Sequence, residues 1–169
     1  MAKNKETKNL RTWIEIDSKA AKENYKIFRG LISKKTKLWA VVKSNAYGHG
    51  LVVFSKLADK LGVDGFCVDS IVEGNRLREE GIQKPILVLG PTLPDRLIEA
   101  AANDITISVS NFEALNAVLK SKAIPFFHIK IDTGFHRQGF YPEDVPEVIK
   151  RVGGRGSMVK GRFKGIFTH

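Results

Sequence analysis

From residue 38 onward one pattern recurs: a short apolar run, a polar break, an amphipathic stretch, then the next apolar run. The runs fall at Leu38–Lys43, Gly65–Asp69, Ile86–Leu89, Ile105–Val109, Phe126–Asp132 and Lys164–Thr168. Helical spacing covers 51–61, 72–80, 94–102, 111–121 and 143–151. Asp95 and Glu113 suit first turns, and Gly62 and Gly81 sit where helix ends favour glycine. Strands that alternate with helices pair in parallel, so the class is α/β. Most runs are apolar at both parities, as expected of strands covered on both faces. Strand starts from 38 to 164 recur every ~25 residues, which fits a doubly wound sheet or most of a (β/α)8 barrel. No GxGxxG follows the first strand, which argues against a dinucleotide-binding open sheet. Upstream, Thr12–Asp17 alternates as a short strand does. Asp17 or Ser18 can cap a following helix with Ala20, Asn24, Ile27 and Leu31 on one face. Residues 1–11 read as a polar tail and 12–169 as one domain. Gly153–Gly156 reads as a flexible loop, because no strand leads into it and no Lys-Ser/Thr follows.

The formal charge of +10 would suggest a nucleic-acid partner if it lay on one stripe. It does not. Residues 1–50 hold 12 basic and 4 acidic side chains (+8), residues 51–149 hold 10 and 14 (−4), and residues 150–169 hold 6 and none (+6). Two basic ends around an acidic middle read as solvated surface. No apolar run approaches the ~18 residues of a membrane span, and the lysine-rich start lacks the apolar stretch of a signal peptide. The single cysteine, Cys67, excludes an internal disulfide and a multi-cysteine zinc site, so no metal is expected. A reduced cytoplasmic setting is the expectation.

Parallel α/β folds place chemistry at the carboxyl ends of their strands. Here the first strand ends in Lys43 and the second in Asp69. The fifth carries Lys130 into Asp132-Thr133-Gly134-Phe135-His136-Arg137, and the sixth ends in His169. A lysine ending an apolar strand is partly desolvated, and cationic neighbours lower its pKa further. Both effects favour the free amine that attacks a carbonyl. Strand position alone favours the plainer reading, a lysine that snorkels to the rim.

The run Val41-Val42-Lys43-Ser44-Asn45-Ala46-Tyr47-Gly48-His49-Gly50 resembles the pyridoxal-phosphate lysine motif of alanine racemases. Trp13–Asp17 resembles the opening strand of that family. Lys130–Arg137 resembles its KxDTGxxR segment, and Gly165-Ile166-Phe167-Thr168-His169 its closing Thr-His segment. Leu77–Ile82 with Pro85–Gly90 adds a weaker match, and the likeness extends in order from residue 12 to 169. It implies a TIM-like (β/α)8 barrel binding pyridoxal 5'-phosphate, incomplete here at about six of eight strands. Ser44, Phe135 and Gln138 depart from the family's usual Ala, Met and Leu.

The resemblance also implies roles. Lys43 forms the internal aldimine and, once displaced, is the base on one face of the substrate's α-carbon. Tyr47 hydrogen-bonds the cofactor phosphate. Arg137 faces the cofactor's phenolic oxygen and the substrate carboxylate, and His169 packs beside the pyridine ring. Lys130 shares a strand side with His128 and Asp132 and is expected near Arg137, so that two cations meet unless Asp132 pairs with Lys130. In the family this lysine can be carbamylated, which turns it into an anion. The implied reaction is two-base racemisation of alanine in a homodimer, an isomerase supplying D-alanine for peptidoglycan. The second base is a tyrosine of the partner subunit, from a segment beyond residue 169. The chain is therefore expected to be a fragment, inactive alone, with unpaired edges on its first and sixth strands. Racemases of serine, ornithine or lysine remain alternatives. So does a pyridoxal-dependent decarboxylase of the same fold, though such enzymes do not match Tyr47–Gly50. A basic nucleic-acid-binding protein is the non-enzyme alternative.

Overall fold

A computed structural model describes residues 10–154 and 157–169. Arg155 and Gly156, half of the expected glycine-rich loop, lie outside the described residues, as does most of the polar tail. The chain divides into two units, one ending at Thr36 and the other spanning Lys37–His169.

In the first unit Thr12–Asp17 forms no strand; the expectation is corrected to irregular chain. Alternation marks a chain able to pair, but a strand exists only where a partner supplies the ladder. The expected helix follows as α1 (Ser18–Leu31). Asp17 caps it, its Oδ1 accepting from the amides of Lys19 at 2.8 Å and Ala20 at 3.1 Å. No α1 residue is buried, and Ile27, Phe28 and Leu31 are exposed. The Arg29 guanidinium donates to the Thr36 carbonyl at 2.9 Å, tying the end of the helix to the chain beyond it.

The second unit is built on six parallel strands: β1 (Trp39–Val41), β2 (Gly65–Val68), β3 (Ile86–Val88), β4 (Thr106–Val109), β5 (Phe127–Lys130) and β6 (Phe163–Phe167). The sheet order β1-β2-β3-β4-β5-β6 decides between the two architectures left open by spacing. A doubly wound sheet reverses its strand order at a switch point, whereas successive barrel units advance in one direction. The order here only advances. Residues of β2, β3 and β4 are buried at both parities. Edge strands β1 and β6 each have one neighbour and stay half-exposed, with Val41 and Ile166 open to solvent.

Between the strands lie α2 (Lys43–Tyr47), α3 (Leu51–Leu61), α4 (Ile71–Glu79), α5 (Leu97–Ala102), α6 (Phe112–Lys120), α7 (Val145–Gly153) and α8 (Ser157–Arg162). Short 3-10 turns at Pro94–Arg96 and Pro142–Asp144 lead into α5 and α7. Spacing missed α2 and α8. It placed Lys43 at the end of a strand, whereas β1 stops at Val41 and Lys43 opens α2. It also drew β5 too long, since the strand ends at Lys130 and Ile131 lies in an isolated bridge to Phe140, its amide donating to the Phe167 carbonyl at 2.9 Å. The core behind the rim contains Phe66, Leu77, Ile86, Ile107, Leu115 and Phe127, all essentially inaccessible to solvent. Each such side chain contributes roughly 1.5–3 kcal/mol on burial.

Arg78 on α4 stitches the opposite end of the sheet. Its guanidinium donates to the carbonyls of Ile82, Lys84, Asn103 and Asp104 at 2.7–3.0 Å. Those carbonyls belong to the loops that enter β3 and β4, so one planar fork sets the start of two strands. Among the described residues no helix is long and apolar enough to cross a membrane.

Candidate active site

The carboxyl end of β1 leads into a backbone shape that propensity does not foresee. Val42 is fully buried and extends the ladder, donating to the Cys67 carbonyl at 2.8 Å. Then Ser44, Asn45, Ala46 and Tyr47 take φ values of 53°, 57°, 53° and 53°, followed by Gly48 at +92°. This is a single turn of left-handed helix made almost wholly without glycine. Each L-residue in that conformation costs roughly 1–2 kcal/mol, so the turn stores several. Its internal bonds run from the Ala46 amide to Val42 at 2.8 Å, His49 to Ala46 at 3.0 Å, and Gly50 to Asn45 at 3.0 Å. The His49 Nδ1 lies 2.9 Å from the Ala46 carbonyl, and its ring leans on Phe54. His49 thus makes contacts that shape the turn.

On the far side of the sheet, β5 ends in Lys130 and leads into Asp132, both buried. The chain leaves as a loop and returns at Phe140. The Asp132 amide donates to Phe140 at 2.8 Å, and the Phe140 amide donates to Lys130 at 2.9 Å. Asp132 Oδ1 accepts from the amides of Gly134 at 2.9 Å and His136 at 3.0 Å, which hold its carboxyl below the usual aspartate range. Its lone pairs therefore serve the loop. No ion pair of Lys130 within 4.0 Å occurs among the described residues, so the expected neutralisation by Asp132 is not made as a direct bridge. Burial and the neighbouring Arg137 push the Lys130 pKa down, opposed by Asp132, and its Nζ stands 5.3 Å from the Phe167 ring centroid.

Burial is deepest at Lys130, while Lys43 is partly covered, as its place after an apolar strand implies. Lys43 keeps about a quarter of its side chain exposed (28%) and sits 4.0 Å from the carboxylate of Asp69.

Phe135 organises the rim of the loop. The Arg137 guanidinium lies 4.8 Å from its ring centroid, and the His169 ring meets it edge-on at 5.1 Å. Thr133 and Thr168 join through their hydroxyls at 2.6 Å. Gln138 donates to the Leu89 carbonyl at 3.0 Å, tying the loop to the end of β3. Phe135 and Gln138 are two of the residues that depart from the family pattern, and here each has a partner.

Lys43, Tyr47, Lys130, Arg137 and His169 all line one cleft of about 650 Å³, together with Cys67, Asp69, Leu89, Gln138 and Phe167. Burial pushes the Cys67 thiol up to about 11, leaving it a poor nucleophile at neutral pH. Four permanent or potential cations, Lys43, Lys130, Arg137 and His169, line the cleft with one carboxylate, Asp69, so the cleft suits an anion. The set combines an amine able to condense with an aldehyde, a phenol and a guanidinium fork. Such donors fit a pyridine aldehyde that carries a phosphate ester, together with an amino-acid carboxylate.

Residues 16–169 match the family described as alanine racemase, N-terminal domain. The chain belongs to the alanine racemase family. It is 39% identical to the alanine racemase of Methanococcus maripaludis over 166 residues, covering 93% of this chain and 43% of that protein. The solved alanine racemase of E. faecalis superposes with a TM-score of 0.81 at 36% identity, covering 91% of this chain and 42% of that one. A histidine racemase from Leuconostoc mesenteroides superposes with a TM-score of 0.79 at 28% identity, over 90% of this chain and 41% of its own. The chain therefore spans less than half the length of these relatives, and its parallel six-stranded sheet is that of their N-terminal, TIM-barrel-like domain.

The hydrogen bonds at Asp132 set a pH dependence. Its folded pKa is depressed, so its contribution is present above the ordinary aspartate range and is lost as pH falls through the lower folded value. Acid titration followed by thermal unfolding should show this loss. The Asp132→Asn chain should be less stable at neutral pH and should lack that part of the acid slope; an identical slope in both chains would exclude the assignment.

Proposed function

We propose that the cleft binds pyridoxal 5'-phosphate through Lys43 and serves interconversion of L- and D-alanine. The observation that carries this reading is the convergence of Lys43, Tyr47, Lys130, Arg137 and His169, from three separate chain segments, on one cleft. Bound there, the cofactor supplies an electron sink for the charge left when the substrate's Cα loses its proton. Lys43 is the residue that holds it, and the Lys43 Nζ takes and returns the Cα proton on one face. The Tyr47 hydroxyl, four residues on and exposed at the mouth, donates to the phosphate. Arg137, steadied on Phe135, binds the substrate carboxylate with its fork. His169, edge-on to the same ring, packs at the cofactor's side. The base for the opposite face is assigned to a tyrosine of a partner subunit, so racemisation belongs to a homodimer. The enzyme would act in the cytoplasm, and its product, D-alanine, would supply cell-wall peptidoglycan.

Lys130 is part of this proposal as a carbamate. Its depressed pKa favours the free amine. The Nζ lone pair forms a bond to the carbon of carbon dioxide, one C=O pair moves onto oxygen, and the displaced amine proton leaves to water. The result is an anion beside Arg137 in place of a second cation. Lys130→Ala should lower the rate of deuterium uptake at the Cα of alanine about 10- to 100-fold, the worth of one charge-assisted hydrogen bond. Millimolar acetate should restore part of it. Full activity without acetate would sink the carbamate.

The histidine racemase neighbour favours a second reading, an amino-acid racemase for another substrate. The test is deuterium uptake at Cα in heavy water, with pyridoxal phosphate and L-alanine, L-serine, L-ornithine, L-lysine or L-histidine in turn. Fastest uptake with alanine is expected. Preference for another amino acid moves the assignment to the second reading, and cofactor binding without uptake from any of them overturns both.

A further inference from the structure

Four successive non-glycine residues do not hold a left-handed turn through their own preferences; surrounding contacts must over-determine it. Two side chains do so. Asn45 Oδ1 accepts from the Leu51 amide at 2.8 Å and closes the turn onto the start of α3. Glu73, which lies on α4 and 28 residues further along the chain, reaches back with both carboxylate oxygens. One accepts from the Asn45 amide at 3.3 Å and the other from the Asp69 amide at 2.8 Å. The Asn45 amide lies in the opening of its turn, where backbone donors find no acceptor within the helix. Asp69 is the residue whose carboxylate stands 4.0 Å from Lys43 Nζ. A single carboxylate therefore joins the peptide of the Lys43-bearing turn to the peptide at the end of β2.

Capping of α4 accounts for only part of this. Ser70 caps the helix and accepts from the Glu73 amide at 3.4 Å, so Glu73 occupies the position from which a capping-box carboxylate bonds the cap residue's own amide. Its carboxylate passes that amide by, bonds Asp69 and crosses to Asn45.

We propose that Glu73 is a positioning residue for Lys43. Its carboxylate holds the left-handed turn against the carboxyl end of β2 and so sets where the Lys43 amine and the Tyr47 hydroxyl stand in the cleft. Glu73 is not among the residues lining that cleft, so it acts through the backbone. The consequence for cofactor capture rests on the reading of the cleft given above; the consequence for the turn does not.

Three variants of the 169-residue chain test it: Glu73→Gln, Glu73→Ala, and Glu73→Ala combined with Ser44→Gly. Hydrogen exchange is read at the Ala46 amide, which bonds Val42 at 2.8 Å and reports the turn without touching Glu73. The second readout is the rate at which pyridoxal phosphate becomes fixed to Lys43 under borohydride, measured by mass spectrometry. Glu73→Ala should speed Ala46 exchange about tenfold, equivalent to ~1.4 kcal/mol, while β3 amides keep their protection. Labelling of Lys43 should slow by a similar factor. Glu73→Gln keeps one acceptor oxygen and should fall between. Adding Ser44→Gly should recover both readouts, because glycine takes positive φ without steric cost. Unchanged Ala46 exchange in Glu73→Ala, a loss that Ser44→Gly fails to recover, or equal loss of protection in β3 each overturns the proposal. If Ala46 exchange responds as expected but no chain labels at Lys43, the positioning of the turn stands and the cofactor reading falls.

Discussion

Lys43→Ala should abolish the absorbance band that pyridoxal phosphate acquires on binding the chain, with no residual saturable component. The amine is the only group in the cleft proposed to hold the cofactor covalently, and no other side chain can replace an imine nitrogen donor from that position. Lys130, the other lysine of the cleft, is buried on β5 beside Phe167 of the neighbouring strand β6. Lys43→Arg is the sharper control, because arginine keeps the positive charge but stays protonated at any working pH. It should lose the band as completely as alanine does. Neither substitution should unfold the protein, since Lys43 is partly exposed and its ion pair at 4.0 Å is the kind worth less than about 1 kcal/mol. A band that survives in either variant, with the parental midpoint, would refute the role assigned to Lys43.

Gly139→Ala should be the most damaging single methyl group added to the second unit, at about 3 kcal/mol in denaturant unfolding. Two causes act together. Gly139 has φ +143°, which side chains rarely adopt. A Cβ there would also run into the Asp132 amide nitrogen and stand 2.8 Å from the Ile131 carbonyl carbon. Those are backbone atoms, pinned by the bonds between Asp132, Phe140 and Lys130, so nothing flexible can give way. Relief requires the 133–139 loop to lift from β5, and Arg137 and Gln138 would go with it. The variant should therefore lose cofactor affinity along with stability. Gly153→Ala is the matched control: its Cβ meets nothing within 4 Å, φ is ordinary, and it should stay within about 1 kcal/mol of the parent. Equal stability of the two variants would refute the steric account.

Much of the architecture was legible because it depends on periodicity. The strand-helix alternation placed all six strands to within a few residues, and continuous apolar runs announced the doubly buried β2, β3 and β4. Thr12–Asp17 failed because alternation records a capacity to pair, and pairing needs a neighbour. The candidate site was legible as a list of residues, of which Lys43, Tyr47, Asp69, Lys130, Arg137 and His169 line the cleft while Asp132 does not. What the list lacked were their supports: Phe135 between Arg137 and His169, Gln138 on Leu89, and Glu73 behind the turn. No local signal marks such residues, because each acts on a partner distant in sequence.

The sequence by itself determined the parallel α/β order and the identity of the groups at the strand ends, since both follow from local pattern and from motifs contiguous in the chain. Only the tertiary structure decided three further matters. It wound Ser44–Tyr47 left-handed against the preference of every residue in it, and it buried Lys130 while leaving Lys43 partly exposed. It also gave Asp132 to the loop amides in place of a lysine. The burial of Lys130 and the bond from Glu73 to the turn exist only once the sheet is assembled; the Asp132 bonds span two and four residues, and the return of the chain at Phe140 holds that local loop against β5.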